Sequence, residues 1–363
     1  MYNVVLKVLE GIEKHGFKAY VVGGYARDRY MDRKSSDIDI CTNATPMDLK
    51  EIFKDAVKHK EQYGSVMIVV NNIIFEITTF RKEDKYLNYR VPSKVTYINS
   101  LEEDLKRRDF IMNTLCIDKN GQFIDLLGAK KDIDNKTIRT VGPAKIKLKE
   151  DVLRCLRAIR FSTILEFEID NELKKYIKKY RIYLKKLSYY RKKEELDKIF
   201  SSTNKKRGIQ LLIDLELTKA LEIDALNSIV ITSDAIGIWA QLSVEDKYIF
   251  TKNEKEQIKK IKELSKFKKI DNQLLYKYGL YTSIIAAEIN NQNTDNIKKN
   301  YMNLPIKTRN DIDINANEIC ELLNINPSFK ISEIYEILEK EILNLNLDND
   351  KNKIKLFLKK NML

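Results

Sequence analysis

Turn-forming residues are unevenly distributed along this 363-residue chain, and their distribution constrains the fold more than any other feature. Before about residue 145, short apolar runs alternate with glycine, asparagine and proline. Beyond it, proline occurs only at Pro305 and Pro327, and glycine is sparse. Strands joined by hairpins need such residues, whereas helix interiors exclude them. The sequence therefore predicts an α+β region with a mixed, largely antiparallel sheet, followed by an all-α region.

Two asparagine-containing dipeptides predict β-hairpins in the first region. Asn71-Asn72 and Asn120-Gly121 each lie between two apolar runs of strand length. Such dipeptides readily adopt the positive φ angles that tight hairpin turns require. The flanking runs are 66–70 with 73–80, and 114–118 with 122–125.

Helix signals occur in both regions. Segment 1–16 has the period of an amphipathic helix and lacks the pattern of a cleavable signal peptide. Thr45-Pro46 predicts an N-cap and first-turn proline of a helix that continues through Lys58. Later segments with helical period are 151–163, 194–200 and 331–345. We predict four parts, namely a head (1–140), a neck (141–205), a body (206–265) and a tail (266–363).

Positive charge is concentrated in one stretch. The chain has 66 Lys and Arg against 53 Asp and Glu, a net charge of +13, and residues 171–207 hold 14 basic against 4 acidic residues. Five tyrosines are interleaved there: Tyr176, Tyr180, Tyr183, Tyr189 and Tyr190. Basic side chains with flat aromatic rings suit phosphate backbones and unstacked bases. The alternatives are a lysine surplus from biased base composition, and a solvated helix face with tyrosines in the core.

Composition excludes several classes of protein. No apolar run approaches the eighteen residues of a membrane span, so we expect no membrane association. The four cysteines are scattered and form no CxxC pair, which argues against a zinc site or disulfide framework and favours the cytosol. With only two histidines, any chemistry must depend on carboxylates, basic residues or metals held by oxygen.

A pair of carboxylates is the first candidate for such chemistry. Asp37 and Asp39 alternate with Ile38 and Ile40 in a predicted strand over 36–42. Alternate residues of a strand share a face, so the two aspartates lie together while the isoleucines point into the core. Keeping both carboxylates ionised calls for a cation, and Mg²⁺ accepts one or two carboxylates plus phosphate oxygens. The alternative is a solvent-exposed strand face, which could carry the same residues without binding a metal.

A glycine pair precedes the aspartates. Gly23-Gly24 follows an apolar run at 17–22 and opens a predicted helix that carries Arg27 and Asp28. Glycines let backbone N–H groups approach a phosphate, and a helix N-terminus favours negative charge. The alternative is a plain strand-to-helix turn. A phosphate cradle beside a metal-binding acid pair indicates nucleotidyl transfer.

These motifs resemble those of a known family. Val22-Gly23-Gly24-Tyr-Ala-Arg27-Asp28, with Ser36-Asp37-Ile-Asp39, resembles the head signature of class II tRNA nucleotidyltransferases and bacterial poly(A) polymerases, in the polymerase-beta-like superfamily. Three further motifs match in order: Ile77-Thr-Thr-Phe-Arg81-Lys-Glu, Asp104-Leu-Lys-Arg107-Arg108-Asp109-Phe110-Ile-Met-Asn113, and Glu150-Asp151-Val-Leu-Arg154-Cys-Leu-Arg157-Ala-Ile-Arg160-Phe161. The resemblance covers about residues 17–163, and 317–344 is faintly similar to the tail of CCA-adding enzymes.

The last motif has a chemical interpretation of its own. Asp151, Arg154, Arg157 and Arg160 recur every three residues, which on a helix places them on one side. A carboxylate only accepts hydrogen bonds and a guanidinium only donates them. An Asp–Arg pair therefore matches the pairing edges of cytosine and adenine, and mispairs with uracil and guanine. The alternative is an exposed row of arginines on one helix face, neutralised by Glu150 and other acids.

The resemblance implies a function and a set of site residues. It implies CCA addition to tRNA 3′ ends from CTP and ATP, by attack of the 3′-hydroxyl on the α-phosphorus with release of pyrophosphate. It assigns catalysis and two Mg²⁺ ions to Asp37 and Asp39, and the protein template to Asp151 and Arg154. The acceptor arm of tRNA is the implied partner, and the oligomeric state is left open. Further nucleotide contacts fall on Gly24, Arg27, Arg108, Arg157 and Arg160.

Two positions and two rival functions remain open. Glu76 is a candidate third acid near the metals, or a strand-face residue without a role. The segment 81–92 resembles the family's flexible loop, which switches C addition to A addition, but Asn88 stands where the family commonly has Asp. One rival is an A-adding or poly(A)-adding enzyme with the same head. The other is a non-catalytic RNA-binding protein, against which the intact Asp37 and Asp39 argue.

Overall fold

The structure, a computed structural model, describes residues 2–35, 37–54, 57–58, 63–84, 86–87 and 91–362. The chain divides into two compact units, Met1–Asp224 and Ala225–Leu363. Within the described residues, every strand belongs to the first unit, and the second is built from helices. The fold class predicted from the turn chemistry, an α+β head followed by helices, is confirmed.

The first unit contains eleven described α-helices and thirteen described strands. The helices are α1 (Tyr2–Glu13), α2 (Gly24–Tyr30), α3 (Pro46–Ile52), α4 (Leu101–Lys106), α5 (Ala129–Asp134), α6 (Ala144–Glu150), α7 (Leu153–Leu165), α8 (Asn171–Tyr180), α9 (Tyr189–Phe200), α10 (Lys205–Asp214) and α11 (Thr218–Leu221). The strands are β1 (Ala19–Val22), β2 (Ile38–Thr42), β3 (Val57–Lys58), β4 (Ser65–Val70), β5 (Ile73–Thr79), β6 (Arg81–Glu83), β7 (Tyr86–Leu87), β8 (Val91–Pro92), β9 (Val95–Tyr97), β10 (Cys116–Ile117), β11 (Phe123–Ile124), β12 (Thr137–Ile138) and β13 (Glu168–Ile169).

The second unit packs its helices around one apolar core. Leu275, Ile319, Leu338, Ile354 and Leu358 are fully or almost fully buried there. The described helices of this unit are α12 (Ala235–Leu242), α13 (Lys252–Leu264), α14 (Asn272–Ile289, interrupted at Gly279), α15 (Thr294–Met302), α16 (Ala316–Leu323), α17 (Phe329–Leu343) and α18 (Lys351–Met362).

One sheet organises the head. Among the described residues it has seven strands in the order β11-β10-β1-β2-β5-β4-β3. Neighbouring strands are antiparallel except β2 and β5, which run parallel. In this register Asp39 of β2 lies opposite Val22 of β1 and Glu76 of β5. The central strand therefore places a carboxylate between the glycine turn after β1 and a second acid.

Both predicted hairpins form. Asn71 and Asn72 adopt φ angles of 52° and 61°, and Val70 pairs with Ile73, so the turn has two residues in the left-handed region. At the second hairpin, the Asp118 N–H donates to the Gln122 carbonyl at 3.1 Å. Gly121 has φ of 79° in this turn, whose loop has three residues rather than two.

The helix predicted from Thr45 to Lys58 is wrong at its far end. Thr45 caps α3 in a reciprocal capping box with Asp48, as expected from the Thr-Pro signal. The helix ends at Ile52, and Val57–Lys58 forms β3, whose Val57 pairs with Met67 of β4. Pairing of a β-branched residue with the sheet edge prevailed over the helical pattern.

Two other boundaries shift near the site. Asp37 precedes β2, and Ser36, where the strand was predicted to begin, lies outside the described residues. The sequence predicted Asp151 on the same helix as the three arginines, and this prediction is wrong. The backbone of Asp151 is extended (φ −139°, ψ 105°), and α7 begins at Leu153. Its carboxylate Oδ1 instead accepts a hydrogen bond from the Leu153 N–H at 3.0 Å, at the junction between α6 and α7.

A short parallel pair joins the predicted neck to the head. β13 lies in the region expected to be all helical, and it pairs with β12 through Thr137–Glu168 and Ile138–Ile169. Ile138 and Ile169 are buried. The strand pair fixes the end of α7 against the head, so the arginines of α7 have a defined position. In the described part of the chain, no helix combines the length and apolarity needed to cross a bilayer.

Candidate active site

One polar cavity of about 810 Å³ in the first unit contains every predicted site residue. Its volume falls in the range typical of small-ligand sites. The predicted residues that line it are Gly24, Arg27, Asp37, Asp39, Arg108, Asp151, Arg154, Arg157 and Arg160. Motifs up to about 130 residues apart in sequence thus converge on one space.

An acidic wall, defined as Asp37, Asp39 and Glu76, forms one side of this cavity. Asp37 is exposed at the start of β2, and Asp39 lies between the buried Ile38 and Ile40. Burial, and then the like charge of Asp37, raise the pKa of Asp39 from 3.8 to about 6. Glu76 contributes a smaller rise. The wall therefore carries negative charge at a real electrostatic cost, which a cation would relieve.

The acidic wall suits a hard divalent cation bound jointly by protein and ligand. No set of three or more His, Cys, Asp or Glu side chains in the described part of the chain converges as a metal site. Mg²⁺ does not need such a cage, since it is commonly held by one or two carboxylates, substrate phosphates and water. Asp37 and Asp39 supply the carboxylates, and the remaining ligands would come with the nucleotide.

The glycine turn lies directly against Asp39. Gly23 has φ of 79°, a conformation that favours glycine, and α2 begins at Gly24. A Cβ atom on Gly23 would stand 3.3 Å from Asp39 Oδ2, closer than side chains normally approach. The backbone conformation thus favours glycine at position 23, and any side chain there would press against Asp39.

An arginine wall, defined as Arg27, Arg108, Arg154, Arg157 and Arg160, forms the other side. Each guanidinium faces an acid of the protein itself. The nitrogen–oxygen distances are 2.7 Å for Arg27–Asp28, 3.1 Å for Arg108–Asp104, 2.8 Å for Arg154–Glu150, 2.5 Å for Arg157–Asp109 and 3.0 Å for Arg160–Glu195. These acids fix the arginines before any ligand arrives.

Asp109 and Asn113 connect two of these arginines. Arg27 donates to Asn113 Oδ1 at 2.6 Å, and Asn113 Nδ2 donates to Asp109 Oδ1 at 3.3 Å. Arg157 Nε donates to the other Asp109 oxygen at 2.8 Å. Burial alone would raise the pKa of Asp109, but the charge and hydrogen bonds of Arg157, the charge of Arg154 and the Phe110 N–H together outweigh burial and lower this pKa to about 2. Asp109 and Asn113 therefore hold in place two arginines that come from separate helices, α2 and α7.

Asp104 holds Arg108 in place, as Asp109 holds Arg157. Its fully buried carboxylate accepts hydrogen bonds from the Arg81 N–H at 3.1 Å, Arg107 Nε at 2.9 Å and Arg108 at 3.1 Å. Burial opposes its charge, but Arg107 and Arg108 prevail and lower the pKa of Asp104. Its spacing of four residues from Arg108 was a sequence signal for this pair.

The ring of Phe161 lies among three guanidinium groups. The carbons at their centres lie 4.4 Å (Arg160), 5.3 Å (Arg27) and 5.6 Å (Arg157) from the ring centroid. Arg160 Nε and Glu195 Oε2 are 3.0 Å apart but are not aligned as a hydrogen bond. Sequence reasoning assigned no role to Phe161, although it ends the last motif, and no sequence signal indicated Glu195, which comes from α9 and is brought here only by the fold.

The predicted template pair lies where α6 meets α7. Arg154 donates to Glu150, to the Lys147 carbonyl at 2.8 Å and to the Arg107 carbonyl at 3.1 Å. Asp151 is tied to the Leu153 N–H. Both side chains line the cavity, each anchored by neighbouring backbone.

The basic stretch contributes cations to this cavity, and its tyrosines differ in exposure. Arg191 and Lys198, seven residues apart on α9, line it. Tyr176 stacks on the buried Tyr180, with ring centroids 5.8 Å apart, and Tyr190 is 54% exposed. Tyr180 is thus a packing residue, which favours the core alternative for that side chain.

The loop segment forms two short strand pairs. β6 pairs with β9, and β7 pairs with β8. Asn88, the position where this chain departs from the family pattern, lies outside the described residues.

Family models match three parts of the chain. The "Poly A polymerase head domain" matches residues 19–139, and the "Probable RNA and SrmB-binding site of polymerase A" matches residues 166–226. A model described as "tRNA nucleotidyltransferase domain 2 putative" matches residues 243–358.

Curated relatives are similar along almost the whole chain. A CCA-adding enzyme of Ligilactobacillus salivarius is 35% identical over 96% of this chain and 94% of its own length. One of Bacillus subtilis is 33% identical over 98% and 97%. Among solved structures, a Bacillus stearothermophilus CCA-adding enzyme in complex with CTP has a TM-score of 0.82 and 26% identity, covering 98% of this chain and 96% of that one. A Thermotoga maritima CCA-adding enzyme complexed with tRNA has a TM-score of 0.72 at 19% identity over 99% and 95%, a likeness of fold alone.

Proposed function

This chain belongs to the family of CCA-adding enzymes, and we propose that it adds CCA to the 3′ end of tRNA from CTP and ATP. The resemblance inferred from the four head and neck motifs is thereby confirmed. The observation that carries the proposal is the single cavity in which an acidic wall faces an arginine wall. Its charges suit a nucleoside triphosphate with divalent cations on its phosphate oxygens.

Transfer would occur between the walls. The tRNA 3′-oxygen forms a bond to the α-phosphorus while the bond from that phosphorus to the β-phosphate oxygen breaks, and pyrophosphate leaves. Asp37 and Asp39 would hold Mg²⁺, one ion or two, which when bound neutralises charge on the phosphates and promotes ionisation of the hydroxyl. Asp39 must give up its proton to do so, and the cation opposes the effect of burial on its pKa.

The arginine wall would hold the triphosphate. Arg157 and Arg160 are the guanidiniums we assign to it, with Arg27, Arg108 and the backbone of Gly24 as further nucleotide contacts. Because the arginines are positioned by Asp109, Glu195 and the other internal acids, they lose little freedom on binding. Catalysis of this kind consists mainly of positioning and charge neutralisation.

Asp151 and Arg154 would select the base. Asp151 accepts a hydrogen bond from the amino group of cytosine or adenine, and Arg154 donates to the adjacent ring nitrogen. Uracil and guanine present a carbonyl and an N–H at those places, which leaves polar groups unmatched. The anchoring of Arg154 by Glu150 and two carbonyls supports this role, because a rigid template discriminates better than a mobile one.

The partner is tRNA, which the protein would recognise through contacts to phosphate groups and through the shape of the RNA helix. The basic stretch 171–207, with Arg191 and Lys198 at the cavity, would hold the acceptor arm. The deep major groove of A-form RNA is unreadable to side chains, so contacts fall on backbone and hydroxyl groups. We keep the division into head, neck, body and tail as a working proposal, and the cytosol as the compartment, in keeping with scattered cysteines.

The test is extension of tRNA transcripts that end before CCA or after CC, with CTP and ATP supplied singly and together. We expect two cytidines with CTP alone on the first transcript, one adenosine with ATP alone on the second, and complete CCA with both. Addition of adenosine only, or of long adenosine tails, would assign the chain to the rival output with the same head. A preparation that binds RNA but extends nothing would support the non-catalytic rival.

A further inference from the structure

A second cavity lies on the other side of α2 from the active site. It measures about 570 Å³, and its walls include Tyr25 and Arg29 of α2. Gly24, Arg27 and Asp28 of the same helix line the active-site cavity instead. The seven-residue helix thus separates two spaces, of which only one contains the acidic wall.

The charges of this α2 cavity are unbalanced. Three cations line it, Arg29, Arg33 and Lys34, against one acid, Asp32. Among the described residues, none of the three cations is joined to a carboxylate, although Arg33 donates weakly to the Ile164 carbonyl at 3.4 Å. Every arginine of the active-site wall, by contrast, faces an internal acid. An anionic ligand would supply the charge that the protein does not.

The aromatic side chains restrict which anion fits. The Arg29 guanidinium carbon lies 3.4 Å from the centre of the Tyr2 ring, and Tyr25 is 5% exposed behind it. Because Arg29 lies on one face of the Tyr2 ring and Tyr25 is buried, the cavity offers charge more than a surface on which bases could stack, which suits phosphate groups. The volume accommodates about one nucleotide.

The α2 cavity adjoins the catalytic aspartates. Ser35 lines both cavities, so they meet at that residue. Asp37 follows Lys34 by three positions in sequence, at most about 11 Å of extended backbone. An RNA strand whose 3′-hydroxyl reacts at Asp37 and Asp39 has to leave the active site, and the α2 cavity, which shares Ser35 with it, presents three cations that no carboxylate of the described residues pairs with.

We propose that Arg29, Arg33 and Lys34 of the α2 cavity bind the phosphodiester backbone of the single-stranded 3′ end of the RNA substrate, next to the reacting hydroxyl. The site takes phosphate without regard to base. This inference rests on the proposed function for the identity of the RNA. It adds a contact on the head that is separate from the basic stretch of the neck.

The test compares a double variant, Arg33→Ala with Lys34→Ala, with a matched control, Lys7→Ala with Lys18→Ala, which removes two exposed lysines that line neither cavity. We expect the first variant to raise the KM for tRNA about tenfold, with kcat and the KM for CTP within twofold of the parent. Loss of two single-strand phosphate contacts should also flatten the slope of log K against log salt by about 1.4. The control should do neither.

Charge-preserving exchange, Arg33→Lys with Lys34→Arg, should restore the KM for tRNA, since a phosphate contact needs charge rather than one side-chain shape. An unchanged KM for tRNA in the double alanine variant would overturn the proposal. So would a rise in the KM for CTP at saturating tRNA, because that result would assign the cations to the free triphosphate.

Fluorescence anisotropy with a labelled RNA of the same 3′ sequence, without nucleotide, separates this proposal from the proposed function. If the parent protein binds this RNA but never extends it, the proposed function fails while the binding difference between the variants still tests the α2 cavity. Equal RNA binding by the double alanine variant and the control would refute the α2 site even if CCA addition is established.

Discussion

The two walls of the active-site cavity balance their charges in opposite ways. On the arginine wall each guanidinium faces an internal acid at 2.5 to 3.1 Å. On the acidic wall, no ion pair in the described part of the chain joins Asp37 or Asp39 to a lysine or arginine, and the pKa of Asp39 is raised to about 6. The arginines thus have internal counter-charges, whereas Asp39 keeps a raised pKa although Arg108 and Arg157 partly offset its burial.

This difference assigns the walls different tasks. Arginines held by internal acids act as a rigid template, since their positions do not depend on the ligand. Aspartates left uncompensated gain most from a cation that arrives with the nucleotide. Stability and activity should therefore respond in opposite directions when the acidic wall is altered, and in the same direction when the arginine wall is altered.

The largest effect should follow Asp39→Asn. Loss of a metal ligand removes several kcal/mol of transition-state stabilisation, so we expect kcat for CTP addition to fall by roughly 10³-fold. Without metal, the variant should be more stable than the parent above pH 6. The raised pKa means that the folded state of the parent holds a proton more tightly than the unfolded state, so its stability falls as pH rises from 3.8 through about 6, by at most about 3 kcal/mol.

Denaturant unfolding at pH 5 and pH 8, with and without Mg²⁺, checks this prediction beside single-turnover kinetics. Glu76→Gln is the matched control on the same wall, and we expect it to lose far less activity than Asp39→Asn. An Asp39→Asn variant with lower stability than the parent at pH 8 in the absence of metal would contradict the uncompensated-charge account.

The next largest effect should follow Asp109→Asn on the arginine side. The change leaves Arg157 partly buried without its counter-charge, which should destabilise the fold by about 3 kcal/mol. Because the pKa of Asp109 is lowered to about 2, its stabilising contribution is present above pH 3.8 and is lost as pH falls toward 2. The gap between parent and variant should therefore close over that interval.

Activity should fall together with stability in Asp109→Asn, through a higher KM for the nucleotide, because Arg157 is no longer fixed. Urea unfolding from pH 2 to pH 7 and steady-state kinetics with CTP provide the two readouts. If the stability gap stays constant down to pH 2, the Asp109–Arg157 pair is not its source.

A smaller effect is expected for Asp151→Ala. Transfer should survive, with weaker nucleotide binding and with discrimination against UTP and GTP reduced about 10- to 100-fold, the equivalent of one unmatched polar group. Glu166→Ala, an exposed acid just after α7, is the control. Competition between CTP and UTP on tRNA ending before CCA measures the ratio. Unchanged discrimination would remove Asp151 from the template.

What could be predicted from the sequence follows local geometry. In segment 22–39, local features were enough to predict carboxylates beside a phosphate-sized opening. These features are a strand, a glycine turn and the alternation of aspartate with isoleucine. The spacing of Arg154, Arg157 and Arg160 placed them on one helix face, and those residues do line the cavity.

The acids that hold the arginines could not be predicted in the same way. Asp109 and Arg157 are 48 residues apart, and Glu195 reaches Arg160 from another helix, so only tertiary packing joins them. The need for tertiary contacts also explains the error at α3. Its helical sequence pattern continues beyond Ile52, but Val57 pairs with Met67 at the edge of the sheet. The position of Asp151 is also predicted wrongly from the sequence, since its side chain accepts a hydrogen bond from the Leu153 N–H ahead of the arginine-bearing turns of α7 instead of lying on that helix.

Anomalous diffraction from crystals soaked with CTP and Mn²⁺, the analogue of Mg²⁺ with measurable scattering, tests the central claim most directly. The account predicts an anomalous peak within coordination distance of Asp37, Asp39 and the triphosphate, and no such peak in Asp39→Asn crystals. Ordered CTP on the arginine wall with no metal density at the two aspartates would contradict it.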